Sequence, residues 1–507
     1  VEALIVTENH LYDSVFARHE DKTTPFLITE KGVYSRADFA EHVHRLGNAL
    51  VRAGLRPGDR VAMQAEKSVE AFALYAATIK AGGVFLPLNT GYTAAELEYF
   101  IGDATPGVLV ARPDDEEKLA PLAHKVGAGM FTLDAEGQGS LIDAASCESP
   151  EMETVPRHAD DLAAILYTSG TTGRSKGAML SHRNLRSNTE ALAETWKFTE
   201  DDILLHALPI YHTHGLFVAG NLLAMTGGRM IYLPRFQIDE VLGHLPRATA
   251  MMGVPTFYTR LLADQRFTRT FAEHMRIFIS GSAPLLAETH VEFEARTGQR
   301  ILERYGMTET GMNTSNPYDG ERRAGTVGMA LPGVSVRLVD AKTGDIVTPG
   351  GIGIIEVKGD NVFSGYWQMP EKTKESFRED GYFITGDMAM EDKEGYITIV
   401  GRDKDLIISG GLNVYPKEVE EAINALPGVV ESAVIGVPHP DFGEGVVAVI
   451  VPEGTVTAID IKNGLSETLA AFKQPKEIIF MDNLPRNSMG KVQKANLRKE
   501  HAGLFRT

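Results

Sequence analysis

The sequence predicts an α/β protein of helix-covered, largely parallel sheets, with a β-rich subdomain from about residue 320 and a small α+β domain at its end. Short β-rich runs at Arg60–Gln64, Gly83–Leu88, Ala163–Thr168, Ala250–Val254 and Arg276–Ser280 alternate with helical stretches such as Val69–Ala81 and His182–Thr195. Strands separated by helices pair in parallel and take helical cover on both faces. From about Ile354 the texture changes to glycine-punctuated β runs at Ile354–Lys358, Gly395–Val400 and Leu406–Ser409. The C-terminal stretch beyond these runs is long enough for one small domain of its own.

Each element carries a local signal. Ser181 is placed to cap a helix from His182, and Pro255 opens a helical turn after the strand ending at Val254. Proline suits a first turn because its φ is already helical and no N–H is lost there. The longest apolar stretch, Gly215–Pro234, is interrupted by Asn221, Thr226 and Arg229. It therefore reads as a buried helix–turn–strand rather than a membrane span. Pro416 opens a helix through about Ala425, which Pro427 and Gly428 break. Strands are expected next at Val429–Val437, Val446–Val451 and Glu477–Met481, around a helix near Ile459–Phe472. The domain boundary falls near Arg402–Lys404, dividing the chain into residues 1–402 and 403–507.

Composition narrows the class. The 507 residues are 43% hydrophobic and 23% charged, which excludes disorder, collagen and coiled coil. A net charge of −18 argues against nucleic acid or an anionic membrane as partner. The exception is Lys473–Arg506, where eight basic residues stand against three acidic ones, as expected of a segment that handles a polyanion. Cys147 is the single cysteine, so neither an intrachain disulfide nor a cysteine-based metal site forms. Val1–His10 has no basic stretch followed by an apolar core, unlike a signal peptide. The expectation is a cytoplasmic protein without membrane insertion; monomer and homodimer both stay open.

The strongest local signal is Tyr167–Gly177 (YTSGTTGRSKG), directly after an apolar strand. Glycines and hydroxyls at that density let backbone N–H groups converge on an anion, and Lys176 adds a mobile positive charge. The segment is not a Walker A loop. Ser175 stands where the second glycine is required, and Gly177 comes after the lysine in place of Ser or Thr. It resembles instead the phosphate loop of the adenylate-forming superfamily of acyl-CoA synthetases, luciferases and peptide-synthetase adenylation domains. Further superfamily signatures occur in order: Tyr305–Thr310 (YGMTET), Tyr382–Asp387 (YFITGD), Gly401–Asp405 (GRDKD), Gly410–Asn413 (GGLN) and Pro485–Lys491 (PRNSMGK). Together they cover nearly the whole chain.

The resemblance implies a large N-terminal adenylate-forming domain, a mobile C-terminal domain, and roles for named residues. Thr168, Ser169, Gly170, Thr171, Thr172, Gly173 and Lys176 would hold the β- and γ-phosphates of ATP. Glu309 would help hold Mg²⁺, a hard cation suited to carboxylate and phosphate oxygens. Asp387 would bind the ribose hydroxyls with Arg402 beside it. Tyr305 would pack on the adenine, with Gly281, Ser282, Ala283 and Pro284 on its other side. Glu303, Gly306 and Thr308 belong to the same nucleotide-binding set. Lys491 would be the catalytic cation, contacting the acyl carboxylate and the α-phosphate, with Lys494 a nearby decoy. Gly410 and Gly411 would be presented to the thiol of CoA after a rotation about Lys404.

His206–Gly215 (HALPIYHTHG) matches the superfamily's acyl-pocket segment and puts His214 beside the acyl carboxylate, with Thr213 lining the pocket. Longer blocks resemble malonyl-CoA synthetases: Met252–Leu262 (MGVPTFYTRLL), Ser280–Leu285 (SGSAPL), Glu303–Thr310 with Met312–Asp319 (MNTSNPYD), and Gly411–Glu418 (GLNVYPKE). The implied substrates are malonate, ATP and CoA, with methylmalonate as a second acid. A diacid needs a cation for its distal carboxylate, since a buried unpaired charge is strongly disfavoured. Arg260 is the candidate, and Ser282 and Met312 are expected to wall the pocket. Another short-chain acyl-CoA synthetase, or an adenylation enzyme that acylates a carrier protein, are the alternatives.

Overall fold

In the computed structural model, which describes residues 9–168, 175–410, 412–466, 468–487 and 490–505, the alternation of β runs and helices becomes two large sheets. One has nine strands. Its six central members, Leu302–Met307, Ile277–Ser280, Ala250–Gly253, Ile203–His206, Arg229–Tyr232 and Pro25–Thr29, run parallel. Antiparallel strands Gly311–Ser315 and Gly32–Ser35 flank them. The other sheet has seven strands. Leu162–Thr168 lies next to the parallel core of Val84–Pro87, Arg60–Gln64, Val108–Ala111 and Gly129–Thr132. The parallel strands are buried along nearly their whole length, as sheets covered on both faces must be.

Helices between strands begin where the sequence caps them. Ser35, Thr93 and Ser181 each accept a hydrogen bond from the backbone three residues on, and Asp38, Glu96 and Asn184 return one. These reciprocal bonds satisfy N–H groups that a helix start leaves without intrahelical partners. Helix Arg36–Arg52 then turns Phe39, Val43, Leu46 and Leu50 inward, the spacing of one helical face. Gly215–Pro234 departs from a plain helix: His214–Asn221 is a π-helical stretch before α-helix Leu222–Thr226 and strand Arg229–Tyr232. Gly215 allows this, because a Cβ there would lie 2.0 Å from the Pro209 carbonyl oxygen.

Two compact units emerge, and they do not follow a single cut in the chain. One comprises Val1–Ala324, Met329–Ser335 and Val357–Phe383; the other comprises Gly325–Gly328, Val336–Glu356 and Ile384–Thr507. The second holds the antiparallel pair Phe383–Glu391 and Ile397–Arg402 almost entire. It also holds a five-stranded sheet in which the long hairpin Val429–His439 and Gly443–Pro452 is joined by Glu477–Phe480 in parallel. Helix Pro416–Asn424 packs Val419 and Ile423 against this sheet. The expected helix near Ile459–Phe472 ends earlier, at Ser466, and turns carry the chain from Thr468 to Lys473.

In the nine-stranded sheet the register aligns Gly253 with Ser280 and Ser280 with Glu303. The carboxyl ends of three adjacent parallel strands therefore lie side by side, and the segments after them leave from one edge. Such an edge is where open α/β sheets bind ligands.

Candidate active site

The first unit gathers two groups of polar side chains. One lies at the flanks of the glycine-rich segment, of which Ser169, Gly170, Thr171, Thr172 and Gly173 are outside the described residues. Strands Leu162–Thr168 and Lys176–Ser181 pair antiparallel, with Thr168 opposite Lys176. The Lys176 ammonium lies 4.2 Å from the centre of the Tyr366 ring, and the Tyr366 hydroxyl donates to Glu309 Oε1 at 3.0 Å. Burial lowers the pKa of Lys176, while the Glu309 carboxylate pulls it back up. Burial raises that of Tyr366, reinforced by Glu309, so the phenol stays protonated as a donor. Glu309 is itself buried. A buried carboxylate with one oxygen taken by a phenol and a lysine alongside fits a magnesium–phosphate cluster, in which one protein carboxylate suffices. No group of three or more His, Cys, Asp or Glu side chains suited to a metal occurs among the described residues.

The second group stands at the carboxyl edge of the nine-stranded sheet. His214 Nδ1 is 3.2 Å from Ser282 Oγ, and Ser282 has a φ of 72°, a strained value for a residue with a side chain. Burial and the nearby Arg304 hold the His214 imidazole well below its usual pKa, so the ring is neutral. Its Nε2 has no hydrogen-bond partner, nor have Thr213 Oγ1 and Ser280 Oγ, all three buried. Thr213 and Thr308 face one cavity with Phe217, Asn188 and Gly311. Asn188 clasps the Met312 backbone from both sides, accepting from its N–H at 3.0 Å and donating to its carbonyl at 2.9 Å. Met312 is buried, and a Cβ on Gly306 would meet its Cε at 2.7 Å. Glu303 accepts from the backbone N–H of Leu285 at 3.2 Å, tying Leu302–Met307 to the Gly281–Pro284 turn. Tyr305, half-buried, sits opposite Thr314. His206, in the same sequence block as His214, is a core histidine. It accepts from Lys67 at Nδ1, 2.7 Å, and donates from Nε2 to the Gly215 carbonyl, 2.8 Å.

Arg260 lies elsewhere. Helix Pro255–Ala263 buries Phe257, Tyr258, Leu261 and Leu262, so its period turns Arg260 outward. The guanidinium is exposed, 6.0 Å from the Phe236 ring centre.

The second unit holds the remaining candidates. Asp387 and Arg402 face each other across paired strands and form an ion pair of 2.8 Å, with the Asp387 backbone N–H donating to Thr385 Oγ1. Burial lowers Lys404 to a pKa of about 8, helped by the like charge of Arg402. Gly410 takes a φ of 60° and donates to the Phe442 carbonyl; Gly411 is outside the described residues. The Asn487 backbone N–H donates to the Lys491 carbonyl, the Lys491 N–H donates to Asn487 Oδ1 at 2.9 Å, and the Lys491 side chain is exposed. Lys494 differs: it is held at 2.5 Å by the buried carboxylate of Glu420.

With this geometry in place, the sequence matches the model of the AMP-binding enzyme family over residues 13–367, and that of the AMP-binding enzyme C-terminal domain over 418–491. The chain belongs to the AMP-binding enzyme family. Within the family it is similar to ATP-bound MatB from Rhodopseudomonas palustris, 57% identical over 99% of this chain and 100% of the other, with a TM-score of 0.97. It is also similar to a malonate–CoA ligase of Arabidopsis thaliana, 36% identical over 88% of this chain and 78% of that one. A feruloyl-CoA synthase of Amycolatopsis is 37% identical over 91% of this chain and 93% of its own. Tyr366, Asn188 and Arg304 stand in the two polar groups of the first unit without having been singled out from the sequence. Arg304 stands inside the Glu303–Thr310 block, and its place in that block was the available signal. Tyr366 and Asn188 carry no such mark.

Proposed function

We propose that this enzyme is an ATP-dependent malonyl-CoA synthetase, converting malonate, ATP and CoA to malonyl-CoA, AMP and pyrophosphate through a malonyl-adenylate. The similarity to MatB and to malonate–CoA ligases supports the choice of acid. The observation that carries the site is the neutral His214–Ser282 pair beside unpartnered buried polar atoms at the carboxyl edge of the sheet. A neutral imidazole donates to a carboxylate without protonating it, which leaves the acid nucleophilic toward the α-phosphate.

In this reading Lys176 and the glycine-rich segment take the β- and γ-phosphates. Glu309 would hold Mg²⁺, which supplies charge neutralisation on the phosphates. Tyr366 keeps Glu309 oriented. Asp387, steadied by Arg402, accepts the ribose hydroxyls, and Tyr305 lies against adenine with the Gly281–Pro284 turn. Lys491 supplies positive charge where it develops in adenylation. Residues 1–402 and 403–507 act as the two bodies of the cycle with Lys404 at the joint, and Gly410 and Gly411 serve the thiol step. Met312 closes the pocket to long chains, while a methyl group changes binding by only about 1–3 kcal/mol, so methylmalonate is a second substrate. We assign the reaction to the cytoplasm. Among the described residues no helix is long and apolar enough to cross a membrane.

The test is CoA-thioester formation with ATP and Mg²⁺ for malonate, methylmalonate, acetate, propionate, succinate and ferulate in parallel. Malonate leads with methylmalonate behind it. A lead for ferulate or a monocarboxylate would leave adenylation chemistry in place and remove the diacid assignment.

A further inference from the structure

Helix Ala94–Ala104 of the first unit reaches both flanks of the glycine-rich segment. Tyr99 and Asp103 stand four residues apart on it, so one helical turn puts them on the same face. Asp103 Oδ2 accepts from the hydroxyl of Tyr167, at the entry to the segment. The Tyr99 hydroxyl donates to the Ser175 carbonyl, at the exit, over 2.9 Å. Burial raises the pKa of Tyr167 and the Asp103 carboxylate raises it further, so this phenol is a donor at neutral pH.

The bond to Ser175 lies outside the regular pairing of the hairpin. Strands Leu162–Thr168 and Lys176–Ser181 pair as far as Thr168 opposite Lys176, and Ser175 comes one residue before that last pair. A half-buried carbonyl past the end of a ladder can take water as its partner. Here a phenol from a separate helix takes it instead. The helix docks without this bond, through buried Leu97, Phe100, Ile101 and Ala104. Phe100 also packs on Tyr167, with ring centres 4.4 Å apart.

The end of the same helix is tied to the strand that carries Tyr366. The Asp103 carbonyl accepts from Trp367 Nε1 at 3.1 Å and from Gln368 Nε2 at 3.0 Å. The Trp367 backbone N–H donates to the Gly177 carbonyl at 2.7 Å. Tyr366, next in the chain, lies over Lys176 and donates to Glu309. One helical turn therefore holds Tyr167, Ser175 and the neighbour of Tyr366 together. Groups fixed before a ligand arrives lose less freedom when it binds.

We infer that Tyr99 and Asp103 are positioning residues for the triphosphate of ATP: by holding Ser175 and Tyr167 they set Lys176 and the glycine-rich segment where the β- and γ-phosphates bind. This rests on the phosphate assignment of that segment above. Both residues act through the flanks and not by touching the nucleotide. Because they serve the part of ATP that AMP lacks, their loss weakens ATP and spares AMP.

The experiment measures dissociation constants for ATP with Mg²⁺ and for AMP by calorimetry, without malonate or CoA. It compares the wild-type enzyme with Tyr99→Phe, Asp103→Ala, Asp103→Asn and Lys176→Met. Tyr99→Phe removes one hydroxyl and keeps the ring. It is expected to weaken ATP by on the order of fivefold, the size of one net hydrogen bond, with AMP unmoved. Asp103→Ala, which keeps the backbone carbonyl for Trp367 and Gln368, weakens ATP to a similar extent. Asp103→Asn retains an acceptor for Tyr167 and recovers most of the loss. In turnover, KM for ATP rises in Tyr99→Phe while KM for malonate and the rate of thioester formation from supplied malonyl-AMP stay at wild type.

Equal weakening of ATP and AMP in Tyr99→Phe overturns the inference, as does an unchanged ATP constant in that variant. A lowered thermal midpoint with proportional loss of both half-reactions assigns the tyrosine to packing and overturns it as well. If Asp103→Ala does not fold, Tyr99→Phe decides alone. Lys176→Met separates the two readings. Should it leave the ratio of ATP to AMP affinity at wild type along with the helix variants, the phosphate assignment falls too. Should it shift the ratio while the helix variants do not, only this inference falls.

Discussion

Lys491 and Lys494 are three residues apart, and their surroundings assign them different work. Lys494 is committed to Glu420, a carboxylate buried enough that its pKa is raised despite the ammonium beside it. Lys491 is exposed and follows Gly490, which takes a φ of 74°. Lys491→Ala is expected to abolish malonyl-adenylate formation, measured by pyrophosphate release, while thioester formation from supplied malonyl-AMP stays largely intact. Equal loss of both half-reactions would remove Lys491 from its role. At this scale the motifs singled out Glu309 and Lys176, which the structure brings against one tyrosine, Tyr366. The sequence was silent on Tyr366, because nothing local marks a tyrosine that will donate to a glutamate fifty-seven positions away.

The helix His182–Trp196 shows how much an element depends on one residue. Ser181 accepts from the Asn184 backbone at 3.2 Å, and Asn184 Oδ1 accepts from Ser181 N–H at 2.7 Å. The Asn184 amide also donates to the carbonyls of Asp360 and Val362, both at 2.8 Å. One cap therefore fixes the helix start and anchors a remote segment. Ser181→Ala is expected to cost about 1 kcal/mol, read as a lowered urea midpoint at unchanged slope; an unmoved midpoint would show that Asn184 alone holds the start. Downstream, Asn188 on the same helix clasps the Met312 backbone, so the element that the cap anchors also places Met312. Starts of helices were readable because caps are contiguous with what they cap. The π-helical turn at His214–Asn221 was not, since no local pattern marks it and its close approach of Gly215 to the Pro209 carbonyl shows only in the folded chain.

For the molecule as a whole, Lys404 links local burial to global stability. Its folded-state pKa of about 8 lies below its ordinary value of 10.5, chiefly through burial. Between those two values the unfolded chain binds more protons, so stability from this group rises with pH across the window. Below about pH 8 the native state carries the full cost of keeping this ammonium charged. Lys404→Met is accordingly expected to be more stable than wild type at pH 7, with the gap in urea midpoint closing as pH rises toward 10. A gap constant with pH would mean that packing, not charge, separates the two proteins.

The sequence by itself determined the α/β class, the order of strands and helices, the capped starts, the glycine-rich segment and the family's signature spacings. All of these are written in residues near one another, where backbone preference and periodicity act before any tertiary contact forms. The tertiary structure alone decided which charges find partners. The sequence offered Arg260 as the cation for a distal carboxylate, and helical period turns it to solvent. Arg304, which the sequence reading did not single out, lies close against Gly281 and is buried without a counter-charge among the described residues. Whether a charge is compensated depends on every segment that packs around it, and those segments are distant in the chain.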